Sequence, residues 1–284
     1  MSKRLLFCLF TILLSCISAA AQQKQPQPLT FWYEYSINGG KEDEFMDLVK
    51  TVGQPVRDKL MADGVVLGWG VEVPLLRVPG SSTHVIWYAV SDWSGVEKVD
   101  SAMRAQIAKM SEDTSKSAAG KKGQKPAASV TERLREIADM AKTHDYLTRD
   151  LVANEISTPP AGVMPYTRYG YVKAKPGKGG DYRKAWEKYN KPVYDKLLAD
   201  GVIIGYGLSV EEVRTDGDFT HFTWFETKDL ASMEKVRNAF MADRDRRSQD
   251  EQDAMANLFG SLLDLDASRA EVNRSIIYHF PAPK

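Results

Sequence analysis

The chain contains one stretch twice: PVRDKLMADGVVLGWG at residues 55–70 and PVYDKLLADGVIIGYG at residues 192–207. The two copies align without a gap. Each copy predicts the end of a helix, a tight Asp-Gly turn and a strand that begins at once, because glycine adopts the left-handed conformation that ends a helix. The duplication therefore predicts two similar structural units in one chain.

The residues around each copy predict the same order of elements in both halves. Strands are predicted at residues 29–37, 65–73, 83–90 and near 151–156 in the first half. Helices are predicted from apolar residues that recur every three or four positions before the Asp-Gly turn, and again at residues 93–110 and 131–142. The second half repeats this order, with strands that include residues 202–210 and a last strand near 275–280.

This order of strands and helices is the split βαβ pattern of the ferredoxin-like fold. The strand VIWYAV at residues 85–90 is apolar at successive positions, so both faces of its sheet need cover. We therefore predict an α+β protein in which two tandem ferredoxin-like repeats, each with an antiparallel four-stranded sheet, pack sheet to sheet as an intrachain α/β barrel.

The predicted repeats have bounds that follow from composition. The first repeat covers residues 29–156 and the second covers residues 165–284, with a Pro-containing linker at 157–164. Residues 111–129 are rich in Ser, Ala, Gly and Lys and have no counterpart in the second half, which favours a flexible insertion.

The element order and the helix–Asp-Gly–strand hinge resemble the dimeric α/β-barrel superfamily, which includes the NIPSNAP-like and antibiotic-biosynthesis-monooxygenase-like families. The resemblance covers both repeats. Two chains usually pair in that superfamily, so the resemblance implies either a monomer with an internal pseudo-dimer or a homo-oligomer. Tandem chains similar to the chlorite dismutases bind haem through a histidine, which makes a haem protein one alternative.

The first 21 residues predict a signal peptide. Lys3 and Arg4 precede an apolar run at residues 5–14, and three alanines at 19–21 form a cleavage site. Export to the periplasm or the medium is the favoured interpretation. A lipoprotein anchored through Cys16 is the alternative, because a lipobox-like sequence precedes that residue.

After cleavage, residues 22–28 form a polar leader that we expect to be disordered. The mature chain then has no cysteine, since Cys8 and Cys16 are the only two, and we expect no transmembrane helix in it. Lys plus Arg and Asp plus Glu both number 38, so no net positive field favours nucleic-acid binding. The residue spacings predict no metal site and no cofactor.

Two histidines are candidates for a functional site. His84 and His221 occupy equivalent places in the two copies, each after a threonine and three residues before a tryptophan. An imidazole at the start of a strand can ligate a metal or haem, or act as a general base. A structural histidine that bonds to a neighbouring loop explains the pair as well.

The other candidate ligand-binding residues are aromatic residues and glycines: Trp69, Trp87, Tyr206, Trp224, Gly68 and Gly205. Strand alternation places Leu67 and Trp69 on one face and Gly68 on the other. Glycine inside a strand indicates the close approach of a ligand or of another part of the protein. The glycines therefore favour either a flat slot for a planar molecule, or a helix or partner sheet packed directly on them.

The sequence contains no recognisable catalytic motif. The preferred hypothesis is an exported protein that binds a small apolar or aromatic molecule, or that acts without catalysis. The alternative is an enzyme, either a cofactor-free monooxygenase-like protein or a haem-binding one. Fold alone does not decide between these functions.

Overall fold

The structure is a computed structural model that describes residues 27–78, 81–119, 128–155, 162–215 and 219–280, with side chains at 81–119 described up to residue 113. The predicted signal peptide, most of the predicted leader and most of the predicted linker lie outside these residues. So do both cysteines and residues 120–127 of the predicted insertion.

Eight strands form one closed barrel in the described residues. They are β1 (Leu29–Tyr35), β2 (Val66–Pro74), β3 (His84–Val90), β4 (His144–Glu155), β5 (Tyr166–Ala174), β6 (Gly205–Val213), β7 (His221–Thr227) and β8 (Leu263–His279). The α-helices that accompany them are α1 (Glu42–Leu48), α2 (Gln54–Ala62), α3 (Trp93–Ala119), α4 (Val130–Ile137), α5 (Gly179–Tyr189), α6 (Lys191–Ala199), α7 (Leu230–Asp245) and α8 (Gln249–Leu262). None of these helices is long and apolar enough to cross a membrane.

The strand order around the barrel is β1-β3-β2-β8-β5-β7-β6-β4, and all neighbours are antiparallel. Each repeat supplies four consecutive strands, in the order β4-β1-β3-β2 and β8-β5-β7-β6. The pairs β2–β8 and β4–β6 join the two sheets edge to edge, and the eight described strands close into one barrel. The prediction of two ferredoxin-like repeats that form an intrachain α+β barrel is confirmed.

The last strand of each repeat is longer than predicted. β4 begins at His144 and β8 at Leu263, whereas the predicted strands begin near residues 151 and 275. Each of these strands pairs with its own repeat on one side and with the other repeat on the other. The partner repeat therefore extends strand structure into residues whose own pattern does not predict it.

The two Asp-Gly hinges have the predicted geometry. Gly64 and Gly201 have φ angles of 74° and 66°, in the left-handed region. The next residue in each copy donates its N–H back to the helix, Val65 to the Leu60 carbonyl at 2.9 Å and Val202 to the Leu197 carbonyl at 3.0 Å. Each helix thus ends in a Schellman-type turn.

The prolines in the repeated stretch start helices and do not kink their interiors. Pro55 lies in the first turn of α2, after the π-helical segment Val49–Gly53, and Pro192 lies in the first turn of α6. Proline is tolerated there because its missing N–H has no partner within the helix. Helix α3 also continues to Ala119, into the segment that the sequence predicts as a flexible insertion.

Apolar residues form separate cores inside and outside the barrel. One outer core lies between the first sheet and its helices, and a second lies between the second sheet and its helices. The interior core is strongly aromatic and takes residues from both repeats, namely Trp32, Val85, Trp87, Tyr146, Tyr169, Tyr171, Phe219, Phe222 and Trp224.

A buried carboxyl group lies among the aromatic rings of the barrel interior. Glu72 is completely buried. Its carboxyl oxygens accept hydrogen bonds from the Tyr169 hydroxyl at 3.0 Å and from the Asn273 amide at 3.2 Å. Burial raises the pKa of Glu72 to about 7. The folded protein therefore binds a proton that the unfolded chain releases near pH 4.5.

Glu72 should make the protein less stable as the pH rises. Its contribution to stability is present below its unfolded pKa of 4.5 and is lost as the pH rises to its folded pKa of about 7. The loss amounts to about 1.4 kcal/mol for each unit of pKa shift. In urea unfolding at pH 5 and pH 8, Glu72→Gln is expected to reduce this decline, whereas the exposed Glu136→Gln should not. An unchanged pH dependence in Glu72→Gln would contradict the assignment.

Candidate functional site

The sheet separates the sequence-predicted candidates into two groups. Four face the surrounding helices: Trp69, Tyr206, His84 and His221. The other four face the barrel interior: Trp87, Trp224, Gly68 and Gly205. Residues on opposite faces of a sheet cannot line one pocket, so the structure does not assemble all of these candidates into a single site.

The two histidines are buried between sheet and helices. His84 and His221 are each 5% exposed, and their Nδ1 atoms lie 3.1 and 2.9 Å from the hydroxyl oxygen of the preceding threonine. Their rings pack against Phe45 and Tyr182, at centroid distances of 5.0 and 5.3 Å. Burial lowers the pKa of both rings, that of His221 to about 4. This environment fits neutral, structural histidines.

Trp69 and Tyr206 connect strand to helix in the same way in both repeats. The Trp69 indole N–H donates to Asp58 Oδ1 at 2.9 Å, and the Tyr206 hydroxyl donates to Asp195 Oδ1. Each aspartate lies on the helix that precedes its hinge. The Asp58 carboxylate thereby holds the buried indole of Trp69 against its helix.

Strand alternation fails at the start of β2. The register between β2 and β3 shifts between Val66 and Gly68, so Leu67 lies in an irregular segment. Leu67 is 38% exposed and contributes to the interior, whereas Trp69 is fully buried under the helices. The predicted common face of Leu67 and Trp69 is therefore wrong, because a bulge reverses side-chain direction.

The interior glycines are covered by aromatic side chains. A Cβ on Gly68 would lie 3.0 Å from the Phe280 ring, and one on Gly205 would lie 3.2 Å from the Trp224 ring. Gly70 and Gly207, two residues further along each strand, lie even closer to an indole ring. A Cβ on Gly207 would lie 2.5 Å from Trp224 Nε1. Indole and phenyl rings thus occupy the space next to these glycines, where the sequence predicted a ligand, a helix or a partner sheet.

A cleft outside the barrel is the larger candidate site. It lies between the sheet of the second repeat and its helices, and we call it the helix-side cleft. Two adjoining cavities of about 600 and 610 Å³ form it and share four lining residues, Arg168, Asn190, Thr223 and Phe240. Aromatic residues supply much of the wall: Tyr182, Tyr189, Tyr194, Phe225 and Phe259.

The cleft exists because small residues replace large ones in the second repeat. Gly170 on β5 pairs with Thr223 on β7 in the register in which Tyr33 pairs with Ile86 in the first repeat. Tyr33 and Ile86 pack into the outer core of the first repeat. Their replacement by a glycine and a threonine leaves space beneath the helices.

Arg168 gives the cleft a distinctive charge. It stands where the first repeat has Phe31, whose ring stacks on Tyr88 at 5.6 Å. The Arg168 guanidinium is partly buried and forms no ion pair in the described part of the chain. Arg237 also lines the cleft, whereas Arg244 is paired with Asp245, the Arg269 guanidinium lies over the Tyr171 ring, and the carboxylate of Asp243 is paired with Arg246 and Arg247. The cleft is therefore suited to an anionic group on an aromatic molecule.

Arg168, Gly170 and Thr223 are not among the sequence-predicted candidates, although the sequence carries a signal for them. Aligning the two repeats on their hinge places Phe31 with Arg168, Tyr33 with Gly170 and Ile86 with Thr223. A charge, a glycine and a threonine at positions that are apolar in the sister repeat indicate a place where the core is incomplete. The sequence-predicted candidates lie where the two repeats agree, and four of them, Trp69, Tyr206, His84 and His221, pack between sheet and helices.

Comparisons with known proteins support the fold. None of the known protein-family models matches the sequence, and no curated protein is detectably similar to it. Among solved structures, a putative monooxygenase from Fusobacterium nucleatum has a TM-score of 0.58 and 11% identity, over 91% of this chain and 96% of that one. An anthrone oxidase-like protein has a TM-score of 0.50 and 10% identity, over 92% and 96%. A haem-binding protein from Thermus thermophilus has a TM-score of 0.50 and 6% identity, over 88% and 91%.

A haem held by histidine does not fit the residues of the cleft. No histidine lines it in the described part of the chain. His221 is buried behind Tyr182, and its Nδ1 lies beside the Thr220 hydroxyl. The described residues also contain no group of three or more His, Cys, Asp and Glu that could hold a metal ion.

Proposed function

We propose that this protein binds a small planar aromatic or apolar molecule that carries an acidic group, and that it holds this molecule in the helix-side cleft. One observation supports the proposal most strongly. In the second repeat, Gly170 and Thr223 stand where the first repeat has Tyr33 and Ile86, and the space beside them contains the unpaired guanidinium of Arg168.

The proposed binding combines burial of an aromatic ring with a charge-assisted contact. Tyr182, Tyr194 and Phe240 offer ring faces and edges to a planar molecule. The planar guanidinium of Arg168 can donate two parallel hydrogen bonds to a carboxylate. Truncating one partner of such a partly buried pair commonly costs more than tenfold in affinity, by about 2 kcal/mol or more.

Calorimetric titration with 2-naphthoate and its neutral analogue 2-naphthalenemethanol tests the proposal. We expect naphthoate to bind about tenfold more tightly, because only the carboxylate can pair with Arg168. Arg168→Gln should remove this preference and leave the affinity for the neutral analogue unchanged. Arg135→Gln, at an exposed position on α4, is the matched control and should change neither affinity.

The double variant Gly170→Tyr/Thr223→Ile tests the location. It restores the pair that the first repeat has in this register, so it should fill the cleft and weaken both ligands. A Cβ on Gly170 would lie 2.9 Å from the Thr223 hydroxyl, so both positions take the two residues that already pair with each other in the first repeat. Unaltered naphthoate affinity in this variant, or in Arg168→Gln, would refute the proposal.

A cofactor-free monooxygenase-like activity is the second candidate. Its support is the shared fold with a putative monooxygenase at a TM-score of 0.58. The cleft offers hydroxyl groups at Tyr182 and Tyr189, but the Asp243 carboxylate that could act as a base is held in two ion pairs. Oxygen uptake with a hydroxyaromatic substrate, lost in Gly170→Tyr/Thr223→Ile, would favour this activity over simple binding.

The relationship and the cellular setting belong to the same proposal. Within the superfamily, the NIPSNAP-like and antibiotic-biosynthesis-monooxygenase-like groups are the proposed relatives. Export is proposed because residues 1–21 have the order of a signal peptide. The intact mass of the mature protein, expected to begin at Gln22, checks this.

A further inference from the structure

A second cavity, at one end of the barrel interior, has the opposite charge character from the helix-side cleft. We call it the barrel chamber, and its volume is about 270 Å³. The lining residues are Pro28, Thr30, Trp32, Leu67, Trp87, Ala89, Asp150, Glu155, Tyr169, Trp224, Glu226 and Phe280. Among these described lining residues, three carry carboxyl groups and none is a lysine, arginine or histidine.

Two of these carboxyl groups are buried and come from different repeats. Asp150 on β4 is 9% exposed and accepts a hydrogen bond from the Ser209 hydroxyl. Glu226 on β7 is 7% exposed and accepts one from the Tyr278 hydroxyl at 2.6 Å. Neither group forms an ion pair with a basic residue in the described part of the chain. A buried carboxylate is normally paired with a positively charged group, and neither Asp150 nor Glu226 has such a partner among the described residues.

Aromatic side chains form much of the wall around the carboxyl groups. Trp32, Trp87 and Trp224 line the chamber together with Tyr169 and Phe280. The three tryptophans are buried, with Trp32 7%, Trp87 6% and Trp224 9% exposed. Indole faces attract organic cations through their quadrupole, most strongly where water is excluded.

We propose that the barrel chamber binds a small organic ammonium ion, a protonated amine attached to an apolar or aromatic body. The cation would lie between the indole faces and pair with Asp150 and Glu226. This ligand class differs from that of the helix-side cleft and fits the missing counter-charge of the chamber. A metal ion fits less well, because no three carboxylates in the described residues are close enough to coordinate one.

The pKa values of Asp150 and Glu226 agree with the proposed cation site. Burial raises the pKa of Asp150 to about 6, and burial together with the nearby Glu155 carboxyl raises the pKa of Glu226 to about 8. The raised pKa values favour the protonated form of both carboxyl groups, because no positively charged side chain among the described residues stabilises the ionised form. An ammonium ion would supply that positive charge and allow both groups to ionise.

Three probes of similar shape and different charge test the proposal on the full-length protein. The probes are 2-phenylethylammonium, 2-phenylethanol and 3-phenylpropanoate. The binding of each is measured at pH 8 by calorimetry and by quenching of tryptophan fluorescence. We expect the cation to bind at least about tenfold more tightly than either of the others. Equal affinities, or no binding of the cation at millimolar concentration, would overturn the proposal.

Two conservative variants locate the site. Asp150→Asn and Glu226→Gln keep an acceptor for the Ser209 and Tyr278 hydroxyls but remove one charge each. Each variant is expected to lower the affinity for 2-phenylethylammonium at least about tenfold and to leave the affinity for 2-phenylethanol unchanged. Because they lie on different strands and in different repeats, failure of one to fold leaves the other as the test. Cation affinity that survives in both would place the site elsewhere and refute the proposal.

Two controls separate the chamber from other acidic groups and from the cleft. Glu271→Gln changes a carboxyl that bonds to Tyr171 inside the same barrel but does not line the chamber, so cation affinity should stay within about twofold. Arg168→Gln should also leave the affinity for the cation unchanged, while Asp150→Asn should leave the affinity for 2-naphthoate unchanged. The two sites can therefore fail or succeed independently.

Discussion

Residues 27–155 expressed alone are expected to aggregate or self-dimerise, and residues 162–284 alone should do the same. In the whole chain, β4 and β8 pair with strands of the other repeat as well as with their own. Removing one repeat leaves unpaired strand edges on the other, and such edges recruit other chains.

Separation would also expose the interior core. The Trp32 ring of the first repeat packs against Tyr169 and Phe222 of the second at 5.7 Å from each, and the Trp87 ring packs against Tyr278 at 6.1 Å. An apolar face of this size is far larger than soluble monomers usually expose. The isolated halves therefore lose both backbone pairing and aromatic packing, which makes this the largest effect that we predict.

Size-exclusion chromatography with light scattering and circular dichroism measures the outcome. The intact chain from the same host is one control. Co-expression of the two halves is the other, and it should restore a folded one-to-one complex, because all β-pairing is then available. A monodisperse, folded monomer from either half alone would contradict the shared barrel.

Gly70→Ala is expected to destabilise the protein much more than Gly68→Ala. A Cβ on Gly70 would lie 2.8 Å from the Ile277 carbonyl oxygen and 2.9 Å from the Trp87 indole ring. The first is backbone of a neighbouring strand, and the second is a large ring buried in the core. Overpacking of this kind typically costs about 1–3 kcal/mol.

Gly68→Ala is the matched control, because it adds the same methyl group to the same strand. Its nearest atom would be an edge carbon of Phe280 at 3.0 Å, on a half-buried side chain near the end of the barrel. We expect the melting temperature of Gly70→Ala to fall by about 2–4 °C for each kcal/mol lost. Similar melting temperatures for the two variants would contradict this packing, because both the Ile277 carbonyl and the Trp87 ring would have to move away from Gly70 at little cost.

The sequence determined the local structure and the order of elements. The Asp-Gly pairs predicted where α2 and α6 end, because left-handed backbone at Gly64 and Gly201 follows from residue type alone. The repeated order of strands and helices predicted two ferredoxin-like units. The apolar run at residues 85–90 predicted that both faces of the sheet are covered, and the closed barrel provides that cover.

Only the tertiary structure decided what each side chain faces. Period-two alternation predicts that Trp69 and Gly68 point in opposite directions, but it does not say which direction leads to the helices and which to the barrel interior. That depends on how the strands of both repeats close into a barrel. The bulge before Gly68 also changed the side of Leu67, and its cause is a shift in the pairing of β2 with β3.

Neither proposed site could be predicted from the sequence pattern of any single segment. The chamber brings Asp150 and Glu226 to one cavity from strands β4 and β7, which are not even neighbours in the barrel. The cleft depends on Gly170 and Thr223 meeting across a β-ladder, beneath helices that lie between and after these two residues in the chain. Local sequence determines which conformation each segment adopts, whereas charge and space in a cavity depend on which distant segments meet there.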